Sequence, residues 1–463
     1  MTTAARRLAS FSAELSIERI PREVVDAAKL HLLDTLGCGL AAHALDTAPY
    51  AREAICEQGT GGPATIIGVP SGAGAQDAAL VNGTTCHALD FDDTHAASVS
   101  HISVVVVPAA LAVAETIGAD GAALLTALVA GNEVSTRVGM AAGEAFHAHG
   151  FHPTAVCGVF GATAASARLR GLDPETTAQA LGIAGSLASG ILEFLADGSS
   201  TKRLHPGFAS RAGVLAAALA AHGATGPATV LEGRCGLYRS FLGRDDIDIA
   251  AQLTNLGSAW ETPRIAFKPY PACHYLHAAL DATIEAMTDA ELTAEDIEEV
   301  VVISPPGGVN MVLEPAAAKA RPRSEYEAKF SLPFSVASYL LHGRVDVMTY
   351  TDTAIADEEV LALASKVRYE VKDFETAGSA FPGGARVRTT DGRVVERELL
   401  YQRGDPHNPM GDSAVVEKYR TNASLALGSV EVAALEHAVL ELEDRPDLSA
   451  LRALARAAPR VPA

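Results

Sequence analysis

His87 to His101 reads HALDFDDTHAASVSH and gathers Asp90, Asp92, Asp93, Thr94 and three histidines into fifteen residues. The flanking stretches are small and apolar, so this acidic, imidazole-bearing segment stands apart from them. A neutral histidine near pH 7 can take or give a proton, which makes His101, with Asp90, a candidate for acid–base chemistry. Asp92, Asp93 and His95 read more simply as parts of a solvated loop with helix caps, a role in which Asp is favoured. Pro108 follows where a helix running to about Gly118 should begin, because a first turn does not need its missing N–H.

Lysine is scarce, with eight against 28 arginines, and between Lys29 and Lys268 only Lys202 occurs, in GSSTKRLHP. Unlike arginine, a partly buried lysine can lose its proton and so do acid–base work. A second cluster, FKPYPACH, holds Lys268 and His274, with His277 just beyond. A third, FHAHGFHPT, offers His152, with His147 and His149 as bystanders in a glycine-bounded loop. His101, His152, Lys202, Lys268 and His274 each fall shortly before, or at the start of, an expected helix. Helix N-termini present free N–H groups and partial positive charge, which favour carboxylates. Converging, these five residues would form an anion pocket inside an acidic protein.

The elements that must position them are mostly helices. Val25, Ala28, Leu32, Leu36 and Leu40 recur at helical spacing, and further helices are expected at about 75–89, 108–118, 121–143, 154–170, 174–195 and 206–222. Gly118, Gly171 and Gly223 stand where C-caps belong. Beyond Pro263 the pattern mixes. A helix at 273–288 precedes an expected strand, Ile297–Ser304, and residues 325–342 read as helix again. Residues 385–400 alternate around Asp391-Gly392, a hairpin signal. After Ser413 helices return. The resulting division is 1–267, helical; 268–405, α+β; and 406–463, helical again.

Composition narrows the function. With 463 residues, 48% hydrophobic and 20% charged, the chain is of ordinary globular type and long enough for two cores. A net charge of −20 argues against nucleic acid or an anionic membrane as partner. Six scattered cysteines, with no C-x-x-C pair, fit reduced thiols and offer no iron–sulfur motif. No apolar run reaches the ~18 residues of a membrane span, and the N-terminus lacks a signal-like apolar region, so a cytoplasmic location is expected.

ALDFDDTH followed by His101, GFHPTAVCG, TKRLHPGFASRAGVLAAALAAHGATGPATVLEG, FKPYPACHYLHAALDA and GDPHNPM together resemble the MmgE/PrpD family over nearly the whole chain. That family contains 2-methylcitrate dehydratases, cis-aconitate decarboxylases and an iminodisuccinate epimerase. The resemblance implies a mainly α fold: a large all-helical domain built from both chain ends, with a smaller α+β lid inserted between them. It also implies a homodimer and chemistry without metal or cofactor. By motif, the decarboxylase site falls on Asp90, Thr94, His101, His152, Lys202, Lys268 and His274. The lid tyrosine falls on Phe334, with Tyr339 and Tyr326 as poorly aligned substitutes.

All reactions of that family develop charge beside a carboxylate, which preorganised cations stabilise. The expected roles are His101 as general base or acid, Asp90 orienting its ring, and His152 as a second proton-transfer group. Lys202, Lys268 and His274 hold carboxylates, and Thr94 gives substrate a hydrogen bond. The expected activity is that of a cofactor-independent lyase, a hydro-lyase, on a small di- or tricarboxylic acid. Rival readings are an iminodisuccinate-type epimerase and a cis-aconitate-type decarboxylase. Further off stand a metal hydrolase using Asp90, Asp92, Asp93, His95 and His101, and a non-catalytic carboxylate-binding protein.

Overall fold

Val25, Ala28, Leu32, Leu36 and Leu40 lie buried along one long helix, Arg22–Ala44, and the same apolar spacing builds most of the chain. The computed structural model describes residues 2–59, 61–376 and 380–456 and is mainly α. The chain divides into two compact units. One comprises the chain up to Ala88, Asp92–Ala266 and the chain from Gly411; the other comprises Leu89–Phe91 and Phe267–Met410. The breaks lie at 266/267 and 410/411, against the expected 267/268 and 405/406, and three residues of the acidic segment group with the second unit.

In the first unit, Ala75–His87, Ser103–Ile117, Gly121–Ala142, Pro153–Leu169, Pro174–Gly185 and Thr201–Ala221 surround two apolar clusters. Asp412–Ala423 and Ser429–Leu440 bring the C-terminal part back against Arg22–Ala44. Two ion pairs fasten it there, Lys418 to Asp34 at 2.8 Å and Glu443 to Lys29 at 2.6 Å. The unit is not all-helical: Ala64–Thr65 and Gly72–Ala73 form a short antiparallel pair.

In this unit three helices depart from expectation, each for a local reason. The helix expected at Pro108 begins at Ser103, because Asp93 Oδ1 accepts from the Ser103 N–H at 3.1 Å and caps it earlier. Pro108 then lies inside the helix. The span 174–195 splits into Pro174–Gly185 and a 3₁₀ turn, Leu192–Ala196, around Gly190 with φ +110°. The helix expected from 206 begins at Thr201, which carries Lys202 and His205 onto its first turns.

The second unit holds a four-stranded sheet in the order Arg368–Val371, Ile297–Ser304, Gly383–Thr389, Val394–Leu399. The hairpin turns at Asp391-Gly392, where Gly392 has φ +86°, and pairs Val387 with Val395 and Arg386 with Glu396. The edge strand Arg368–Val371, four residues of which three are exposed, runs parallel to Ile297–Ser304 and adds to the expected elements. The helix His277–Asp289 packs on the sheet. The expected helix 325–342 is two, Glu325–Ala328 and Leu332–His342, because Ser331 Oγ caps the second through the Phe334 N–H at 3.0 Å. All six cysteines are free, and no described helix is long and apolar enough to cross a membrane.

Candidate active site

The helix Ala75–His87 ends on a buried imidazole, and Asp92 returns beneath it. His87 Nδ1 lies 3.0 and 2.9 Å from the two Asp92 oxygens, and His101 Nδ1 lies 3.0 Å from Oδ2. One buried carboxylate thus holds two histidines. His101 Nδ1 also faces the Asp93 carbonyl at 3.0 Å and Thr94 Oγ1 at 3.2 Å. A carboxylate and a carbonyl only accept, so Nδ1 carries the ring proton and Nε2 is the basic nitrogen of neutral His101. Burial opposes ionisation of Asp92, but the two imidazoles outweigh it and hold the carboxyl well below its usual range.

Asp92, which the sequence suggests is part of a solvated loop, is thus a carboxylate held against the His101 ring. Asp90 has φ 54°, the left-handed region that Asp tolerates better than most residues, and this breaks the simple alternation of side chains. Within the second unit its carboxylate accepts from Lys268 Nζ at 2.7 Å and its carbonyl from the same nitrogen at 2.9 Å. Thr94, expected to meet substrate, has its hydroxyl beside His101.

The loop between Thr94 and His101 is held stiffly. Thr94 and Ala266 exchange backbone hydrogen bonds, His95 and Ser100 do the same, and Val99 has φ 52°. Asp93 meets His31 at 2.7 Å while capping Ser103, and His95 reaches Ser98 and Glu261 at 3.0 and 3.3 Å. Asp93 and His95 are structural, and the metal-hydrolase set therefore loses two of its five ligands.

His152 is the N-cap residue of Pro153–Leu169, and its Nδ1 lies 3.0 Å from His205 Nδ1. One of these nitrogens must donate and the other accept. The ring of His152 is 6.2 Å from that of His101 and 6.0 Å from that of His87. Two helices bring these groups together. Ala75–His87 and Thr201–Ala221 touch at glycines: a Cβ on Gly83 would sit 2.8 Å from Gly207 Cα, and one on Gly207 would sit 2.4 Å from the Leu80 carbonyl. One turn from that contact, His87 ends one helix while Lys202 and His205 begin the other. Lys202 is buried, and its charge bears on His87, His147, His152 and His205. Burial pushes His87 and His205 down to about 4 and His152 well below its ordinary value, so all three are neutral at pH 7.

In the second unit Lys268 is buried on Asp90, and Lys329 Nζ donates to the Leu89 carbonyl at 2.8 Å. His274 stacks on Phe381 at 5.2 Å and meets His277 edge-on at 4.8 Å. Phe334 is fully buried in that unit's core, its ring 6.3 Å from Tyr350.

One ring nitrogen each of His87, His101 and His152 lies within 4.8 Å of the others, room for a small ion. Two fixed charges of opposite sign meet at this cluster, the Lys202 ammonium acting on His87 and His152 and the Asp92 carboxylate on His87 and His101. Two family models match in tandem, the MmgE/PrpD N-terminal domain over residues 6–250 and the C-terminal domain over 270–444. The chain belongs to the MmgE/PrpD family. Within that family it is 30% identical over 468 residues to a cis-aconitate decarboxylase-like protein of Aspergillus oryzae, covering 96% of each chain. It is 29% identical over 452 residues to cis-aconitate decarboxylase of Homo sapiens, covering 95% of this chain and 92% of that one. It is 26% identical over 466 residues to the enzyme of that name from Aspergillus terreus, covering 95% and 93%.

Three residues of the first unit's cluster stand out only in the structure: His87, Asp92 and His205. His205 had a usable signal, because it stands three residues after Lys202, a spacing that shares a helix face. It was hidden by starting the helix at Pro206.

Proposed function

We propose that this chain is a cofactor-independent lyase, specifically a hydro-lyase, acting on a small di- or tricarboxylic acid. The observation that carries the reading is His101 Nδ1, enclosed by Asp92, the Asp93 carbonyl and Thr94, which leaves Nε2 as a positioned base. In the reaction His101 Nε2 takes the proton alpha to a carboxylate. The electron pair left on carbon forms the double bond as the C–O bond to the neighbouring hydroxyl breaks. The leaving hydroxide takes a proton from the Lys202 ammonium and departs as water. Before that step the same ammonium stabilises the extra charge that builds on the substrate carboxylate. His152, neutral and bonded to His205, serves as a hydrogen-bond partner or base rather than as the acid. The carboxylate-binding roles of Lys268 and His274 rest on the sequence alone.

Family membership supports lyase chemistry on a carboxylic acid. Decarboxylation of a cis-aconitate-type acid is the second reading, favoured by the names of the similar proteins. Incubation in D₂O with citrate-, aconitate-, methylcitrate- and iminodisuccinate-type acids, followed by NMR, separates the two. Loss or gain of water with deuterium at the alpha carbon is expected. Release of CO₂ without hydration chemistry would replace the first reading by the second, and an unchanged panel would overturn both.

A further inference from the structure

His87 is 2% exposed, and its one ring proton is committed to Asp92, the carboxylate that also holds His101. Its Nε2 is buried and has no hydrogen-bond partner among the described residues. Its ring stands edge-on to that of His101, with centroids 4.7 Å apart. We propose that His87 is a positioning residue that sets the basicity of His101 through the carboxylate they share; this rests on the reading of His101 as the base. A donor on an ionised carboxylate stabilises the charge and weakens its pull on any other partner. With His87 donating, Asp92 orients His101 while drawing less strongly on its ring proton. Without that donor, Asp92 directs its full charge at His101, whose conjugate acid becomes weaker.

The surroundings leave that control to His87. His152 stands 6.2 Å from the His101 ring and is itself bonded to His205. The Lys202 charge falls on His87 and His152, and Lys418, whose charge reaches Asp92, is paired with Asp34. Thr94 and the Asp93 carbonyl complete the shell of His101. Burial keeps His87 neutral down to about 4, so it acts as a donor and not as a competing charge.

The test needs no substrate. In the native protein with labelled histidines, NMR from about pH 5 to about pH 8 should show His87 fixed in the Nδ1–H tautomer, and the same series reads the His101 midpoint. Titration of His87 in that range, or a proton on its Nε2, would overturn the proposal. His87→Leu should raise the His101 midpoint by about one pH unit, a fraction of what one hydrogen bond to a charged group contributes. His87→Asn offers an N–H near the lost position and should return the midpoint toward native. Equal shifts in the two variants, or none, would contradict the role. Where turnover is measurable, the acid limb of kcat/KM should follow the NMR midpoint with KM little changed. A midpoint that moves while the limb does not would leave the His87 coupling standing and remove His101 as base.

Discussion

Asp90 and Asp92 are two residues apart and do different work, one fixing a lysine and the other two imidazoles. Asp92→Asn should therefore lower kcat/KM by at least ~100-fold in a folded protein, since an amide can present its NH₂ to the ring and select the wrong tautomer. A loss below tenfold would show that the carboxylate is not needed. Lys202 is asked for both charge and a mobile proton, so Lys202→Arg should be almost as damaging as Lys202→Ala, each losing at least ~100-fold. Arginine restoring most of the turnover would reduce Lys202 to an anchor. At this scale the sequence was legible in part. His101, His152 and Lys202 were legible because their types, scarcity and places before helices mark them. The place of Asp92 between two imidazoles was not, because it follows a left-handed φ at Asp90 that spacing does not reveal.

The helices act on the site through their ends. Thr201–Ala221 begins five residues before the proline that masked it, and that early start delivers Lys202 and His205 to the end of Ala75–His87. The register between these helices is set where Gly83 meets Gly207. Gly207→Ala would place a Cβ 2.4 Å from both the Leu80 carbonyl and Thr84 Oγ1, so one helix must move. Overpacking of this kind costs about 1–3 kcal/mol, and the displaced Lys202 should lower kcat further than the stability loss explains. Thermal unfolding and turnover of Gly207→Ala measured together check this; native values of both would mean the close contact does not set the register there. Helix existence was legible from apolar spacing, as in Arg22–Ala44 and Gly121–Ala142, and so was the strand Ile297–Ser304. Helix starts were not, because Asp93 and Ser331 set them through side-chain hydrogen bonds that propensity does not record.

Across the whole molecule, buried titratable groups couple the site to stability. His87 and His205 have values near 4 in the folded chain and His152 is also depressed, against about 6.5 when unfolded. The unfolded chain therefore binds more protons below pH 6.5, and this stability, complete above that pH, is lost as pH falls towards 4. Asp34 opposes the trend, since burial raises it to about 6 despite Lys418 and the folded chain protonates it first. The net expectation is uptake of roughly one to two protons on unfolding between about pH 4 and pH 6.5. Denaturation midpoints should climb across that window, and a flat or falling profile would mean the three histidines are not held neutral. The mainly α architecture and its mixed second unit were legible from the change of pattern beyond Pro263. The grouping of Leu89–Phe91 with the second unit was not, because it rests on contacts from Lys268 and Lys329 far along the chain. The central claim is that His101, held by Asp92, removes a proton alpha to a carboxylate. Its most direct test is the rate at which that proton of the substrate exchanges with D₂O in the native protein and in folded His101→Gln. The account predicts a fall of at least ~100-fold in exchange; exchange at the native rate would contradict it.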